Sequence, residues 1–124
     1  MDNLTIRKTK YTMGVSFDAA SGLLNMEGSS YPENAIEFFR PIQDWIAAYL
    51  KEQRATVTLT LKLEYLNTSS SKCILDLFSA LEQFQESSGN VKVRWYYETD
   101  DEDMLEIGED FSQDLNLPFE FIAF

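Results

Sequence analysis

Residues 65–72, Tyr65-Leu66-Asn67-Thr68-Ser69-Ser70-Ser71-Lys72, decide the fold, because the periodicity of the chain changes across them. Before them Val57, Leu59, Leu61, Leu63 and Tyr65 alternate with polar residues, the period of a strand with one buried face. After them Cys73, Ile74, Leu77, Phe78, Leu81 and Phe84 recur at helical spacing. A strand ends here and a helix begins. Four consecutive hydroxyls stand at the junction, although one serine or threonine suffices to cap a helix by accepting a free N–H bond. Open α/β sheets meet ligands and partners at the carboxyl ends of their strands, and a helix N-terminus accommodates an anion because its unpaired N–H groups point outward. At that position Thr68 can carry a phosphate without disrupting the fold.

Composition narrows the function classes. A chain of 124 residues is expected to form one domain around one core, and at 44% hydrophobic and 14% aromatic residues it needs no covalent staple. Cys73 is the only cysteine, which excludes an internal disulfide and suits a reducing compartment. No apolar run approaches the roughly 20 residues that cross a bilayer, and residues 1–10 lack the apolar core of a signal peptide. The expectation is a cytoplasmic protein without membrane insertion. Twenty-one acidic against ten basic residues give a net charge of −11, which repels a phosphate backbone and argues against nucleic acid as partner. The absence of histidine removes His-based acid–base catalysis, His phosphotransfer and the commonest metal ligand together.

Taken from its beginning, the chain opens with three short alternating segments around Leu4 and Ile6, Val15 and Phe17, and Leu24 and Met26, broken at Gly14 and at Ala20-Ser21-Gly22. A first helix follows. Ser30 and Glu33 have capping-box spacing, Pro32 is expected in the first turn, and Ala35, Phe38, Phe39, Ile42, Trp45, Ile46 and Tyr49 mark one face. Pro41 inside it predicts a kink or local unwinding. The central strand spans about Thr56 to Tyr65, and the second helix about Ser70 to Ser88, ending near Gly89-Asn90. Val91, Val93, Trp95 and Tyr97 then alternate with Lys92, Arg94 and Tyr96 in another strand with one wet face. The acidic run from Asp100 to Asp103 opens a third helix, with Met104, Ile107, Phe111 and Leu115 inward and Gly108 at a close approach. Pro118 precedes a last strand with Phe119, Phe121 and Phe124. The order βββαβαβαβ, with strands wet on one face, predicts an α/β domain whose mixed sheet carries its helices mainly on one side.

Several groups invite a chemical reading and have a plainer one. The hydroxyl run at Thr68–Ser71 is open to a capping role alone. Asp100–Asp103 lacks the spaced oxygen ligands and glycine of a calcium loop, whereas acids in a first helical turn are stabilised by the helix dipole. Trp95, Tyr96 and Tyr97 divide between core and a contact surface, with Tyr96 pointing away from the core. Cys73 faces inward and has no histidine to activate it. The five glycines never cluster into a phosphate-cradling loop, and no carboxylate pair has a recognisable catalytic spacing. No cofactor or metal is expected.

Three stretches carry a family likeness: Ser30–Phe39 (SYPENAIEFF), Leu63–Lys72 (LEYLNTSSSK) and Val93–Asp110 (VRWYYETDDEDMLEIGED). In combination they resemble the SiaC family of bacterial regulatory phosphoproteins, which are similar to the STAS domains of anti-sigma-factor antagonists. The resemblance implies a STAS-like domain that is not an enzyme, with Thr68 matching the family's phosphoacceptor. It also implies a partner switch in c-di-GMP signalling and biofilm regulation: a cognate serine/threonine kinase phosphorylates Thr68, a PP2C-type phosphatase reverses this, and the unphosphorylated form binds and activates a diguanylate cyclase. Asn67-Thr68 stands where STAS antagonists usually carry an Asp-Ser pair.

The alternatives are a constitutive protein-binding or scaffold domain, an anti-sigma-factor antagonist and, disfavoured by the missing histidine and glycine loop, a small hydrolase. The partner surface is expected to combine Tyr31 and Glu33 with Tyr65, Asn67, Thr68, Ser69 and Ser70, with Tyr31 or Tyr65 as aromatic anchor. Ser69 to Ser71 are expected within the first helical turn, less available to a kinase than Thr68.

Overall fold

In the computed structural model, which describes residues 1–52, 56–87 and 89–124, the chain runs β1 (Leu4–Ile6), β2 (Gly14–Asp18), β3 (Leu23–Ser30), α1 (Ala35–Glu52), β4 (Thr56–Leu66), α2 (Thr68–Ser87), β5 (Asn90–Tyr97), α3 (Glu102–Asp114) and β6 (Phe119–Ala123). The six strands form one sheet in which each lies beside its neighbour in sequence. β1, β2 and β3 pair antiparallel, while β3, β4, β5 and β6 pair parallel.

Three parallel crossovers that each step to the next strand, made in the right-handed sense such units adopt, place α1, α2 and α3 on the same face. The strand sequences encode that one-sidedness. Ile6, Val15, Met26, Leu61, Trp95 and Phe121 share one row under the helices, and the adjoining row of Thr5, Ser16, Asn25, Thr60, Arg94 and Glu120 faces the other way. The open face holds a concavity of about 570 Å³, over which the Lys8 stem lies against Gly14 and Gly28.

Trp95 is fully buried, and its indole N–H donates to the Met104 carbonyl at 3.0 Å, so the one polar atom of the largest core residue is satisfied. Gly108 admits that ring: a Cβ there would lie 2.5 Å from the indole nitrogen. Asp101 caps α3 by accepting the Met104 amide at 3.0 Å, which accounts for the acidic run as helix chemistry.

The first helix begins later than the Ser30–Glu33 spacing predicts. Asn34 is the capping residue, accepting the Glu37 amide at 3.1 Å while its own amide group donates to the Glu37 carboxylate at 3.3 Å. Ser30 is consumed by β3, where it pairs with Leu66, so Pro32 lies in the connecting loop rather than a helical turn. The unwinding expected at Pro41 is absent: α1 runs unbroken through it, with the proline exposed. The second helix begins two residues before its expected start, at Thr68, and its expected end at Ser88 lies outside the described residues. None of the described helices is long and apolar enough to cross a membrane.

Candidate functional site

Because β1 runs parallel to β3, the loop after β1 and the carboxyl ends of β3 and β4 lie at the same end of the sheet. The geometry there starts with a bulge. Gly28 pairs with Leu63 and Ser29 with Tyr65, so Glu64 is an extra residue with no opposite number. Gly28 takes φ +104°, a conformation that a side chain rarely adopts. The bulge reverses the alternation: Tyr65, the last inward residue of the sequence pattern, is 52% exposed, and Leu66 takes the buried place.

Tyr65 thereby joins an aromatic row. Its ring meets Tyr31 edge to face at 5.4 Å, and Tyr31 meets Tyr11 in the same way at 5.2 Å. Tyr11 is 53% exposed and sits on the loop after β1, where the Thr9 hydroxyl oxygen accepts the amides of Tyr11 and Thr12 at 3.2 and 3.0 Å. The Tyr31 amide donates to the Tyr11 carbonyl at 2.9 Å, which ties this loop to the end of β3. The sequence places the break between the first two strands at Gly14 and does not reveal that the turn at Thr9 to Thr12 delivers Tyr11 beside Tyr31.

The junction between β4 and α2 is built from backbone and side-chain contacts together. Asn67, not a serine or threonine, caps α2: its side-chain oxygen accepts the Ser70 amide at 2.8 Å and its carbonyl accepts the Ser71 amide at 3.0 Å. The Asn67 amide in turn donates to the Ser30 carbonyl at 3.0 Å. Ser70, expected on the partner surface, is fully buried, because the third residue of α2 faces β3 and its hydroxyl meets that of Ser30 at 2.7 Å. Thr68 and Ser69 are exposed, and neither side chain makes a hydrogen bond among the described residues. Burial therefore does not separate Ser69 from Thr68, contrary to the expectation that the helical turn withholds it.

Beside this junction a groove of about 390 Å³ runs between the starts of α1 and α2, lined by Glu33, Asn34, Ile36, Ser69, Lys72 and Asp76 among others. Ile36 is 67% exposed at its rim. Cys73 lies at its floor, where burial, with the Asp76 charge adding to it, pushes the thiol above its ordinary value. The predicted residues Tyr31, Glu33, Tyr65, Asn67, Thr68 and Ser69 thus gather at one end of the molecule as an aromatic row, an open helix N-terminus and a groove.

Comparison with known proteins supplies the lineage. The sequence profile of the SiaC family regulatory phosphoproteins matches residues 6–124. An uncharacterised protein of Pseudomonas aeruginosa (strain UCBPP-PA14) is 37% identical over 119 residues, 96% of this chain and 94% of the relative. The structure of SiaC of P. aeruginosa superposes with a TM-score of 0.94 at 35% identity over 100% of both chains. The crystal structure of the diguanylate cyclase SiaD in complex with its activator SiaC, from the same organism, contains a chain matching at TM-score 0.94 and 36% identity, over 98% of this chain and 99% of that one. With the fold shared along its whole length and the family profile matching residues 6–124, the chain belongs to the SiaC family of regulatory phosphoproteins.

Proposed function

We propose that this protein is a STAS-like partner switch of the cytoplasm, not an enzyme, whose unmodified form binds and activates a diguanylate cyclase. A cognate serine/threonine kinase phosphorylates Thr68 to block that contact, and a PP2C-type phosphatase restores it. One observation supports the reading: Thr68 opens α2 exposed and its side chain makes no hydrogen bond among the described residues, since Asn67 does the capping and the Ser70 hydroxyl is engaged with Ser30. A hydroxyl run that served only to cap would not leave its first member idle. The pairing of SiaC with SiaD in P. aeruginosa supports the same class of target here.

The switch acts through local charge. Phosphate adds about −1.5 to −2 at neutral pH. The amides of Thr68 and Ser69, without intrahelical acceptors, and the helix dipole favour that charge, so the fold tolerates it. A partner seated over Tyr31, Tyr65 and the adjoining groove meets instead an anion that it must strip of water, at a cost of several kcal/mol.

The test compares authentic phosphoprotein with unmodified protein in calorimetric titrations against the cyclase, after phosphosite mapping. Modification at Thr68, tight binding of the unmodified form and loss of binding by the phosphoprotein are expected. Thr68→Ala should bind constitutively, while Thr68→Asp binds more weakly and melts within a few degrees of wild type. Equal affinity of both forms would show the assigned direction of the switch to be wrong, and dominant modification at Ser69 would move the acceptor by one residue.

A further inference from the structure

Among the described residues the buried serines and threonines are Ser30, Thr58 and Ser70, and the two that are fully buried bond each other. Alanine would fill either place with no polar atom to satisfy. The hydroxyls are tolerable only as a pair, because removing one strands the other away from water. The bond spans 40 residues of sequence and joins the two segments that form the candidate site. Ser30 directly precedes Tyr31, and Ser70 follows Thr68 by two residues. The Ser30 carbonyl also accepts the Asn67 amide, so one residue at the end of β3 grips the junction twice.

We propose that Ser30 and Ser70 are positioning residues of the Thr68 site: their buried hydroxyl bond holds the first turn of α2 against β3 and sets Thr68 and Tyr31 in one frame. This rests on Thr68 being the phosphoacceptor. Among the described residues the Thr68 hydroxyl makes no bond of its own, so its position is set by the backbone of a helical turn, and helix ends fray unless anchored. Phosphoryl transfer depends on placing the attacking oxygen in line with the donor, and small misplacements are costly. The Asn67 cap holds that turn to its own strand. The Ser30–Ser70 bond holds it to the neighbouring strand, where the aromatic row begins.

Three variants separate positioning from plain stability. Ser30→Ala and Ser70→Ala each leave one buried hydroxyl unpaired and should melt lower than wild type, whereas the double variant leaves none and should regain most of that loss. In all three, kcat/KM for phosphorylation of Thr68 by the cognate kinase should fall on the order of tenfold or more. A rate that follows melting temperature, returning to the wild-type value in the double variant, overturns the proposal. If wild-type protein accepts no phosphate at Thr68, the phosphoacceptor reading fails separately and amide hydrogen exchange judges the latch. Faster exchange at Ser70 and Ser71 in the double variant, at equal global stability, supports positioning; unchanged protection overturns it.

Discussion

Tyr11, Tyr31 and Tyr65 come from three different segments and meet as edge-to-face pairs, leaving Tyr11 and Tyr65 about half exposed. Rigid aromatics of this kind dominate interfaces, because they bury much area and lose little side-chain freedom. Tyr11→Ala is therefore expected to weaken the proposed complex with a cyclase by roughly 1–2 kcal/mol, about tenfold in Kd, with an unchanged thermal melt. Titration calorimetry beside a circular-dichroism melt checks it, and a wild-type Kd would remove Tyr11 from the contact. The sequence singles out Tyr31 and not Tyr11. Tyr31 lies within the Ser30–Glu33 spacing that the sequence marks, whereas the neighbour of Tyr11 is fixed by the antiparallel return of β2, a long-range fact with no local signature. For Tyr65 the alternation of β4 predicts an inward side chain, and the bulge at Gly28 and Glu64 turns it outward instead.

At the scale of elements, periodicity was a reliable guide and boundaries were not. The Ser30–Glu33 spacing is what the sequence offers as the cap of α1, and it misses the Asn34–Glu37 pair that forms the cap. Tertiary structure is the reason: pairing of β3 with β4 reaches Ser30 and leaves the cap to Asn34. Asn34→Ala should accordingly destabilise the protein by about 1 kcal/mol, the usual worth of an N-cap side chain, measured as a lower denaturant midpoint at constant slope. Unchanged stability would show that the cap bond contributes nothing in solution. The same competition hid the role of Asn67. A run of hydroxyls drew the capping assignment toward itself, while the residue before it provides the cap and two of the four hydroxyls remain exposed.

Across the whole molecule the charge is unevenly divided. α1, α2 and α3 together hold twelve acidic and three basic residues, a net −9 of the total −11, and α3 contributes six acids and no base. Within α3, Glu102, Glu106, Asp110 and Asp114 follow one another at i, i+4 spacing, where like charges repel by a few tenths of a kcal/mol per pair. The fold should therefore melt higher as sodium chloride rises from about 10 to 500 mM, since the screening length shrinks below the spacing of these charges. A melting temperature independent of salt would mean that counter-charges already neutralise the helical layer.

The side-by-side order of the six strands bears on how the protein is made. No strand in the sheet has to wait for a later one to be inserted between it and its partner. Each hairpin or strand–helix–strand unit closes on an edge that already exists, so the largest loop to be closed at any step spans one helix and its connections. Low sequence separation between contacts favours rapid folding, and synthesis from the amino terminus presents the strands in the order in which they assemble. The parallel core can begin to form on the ribosome before β6 has emerged, with the junction at Thr68 taking shape once α2 can pack against β3 and β4.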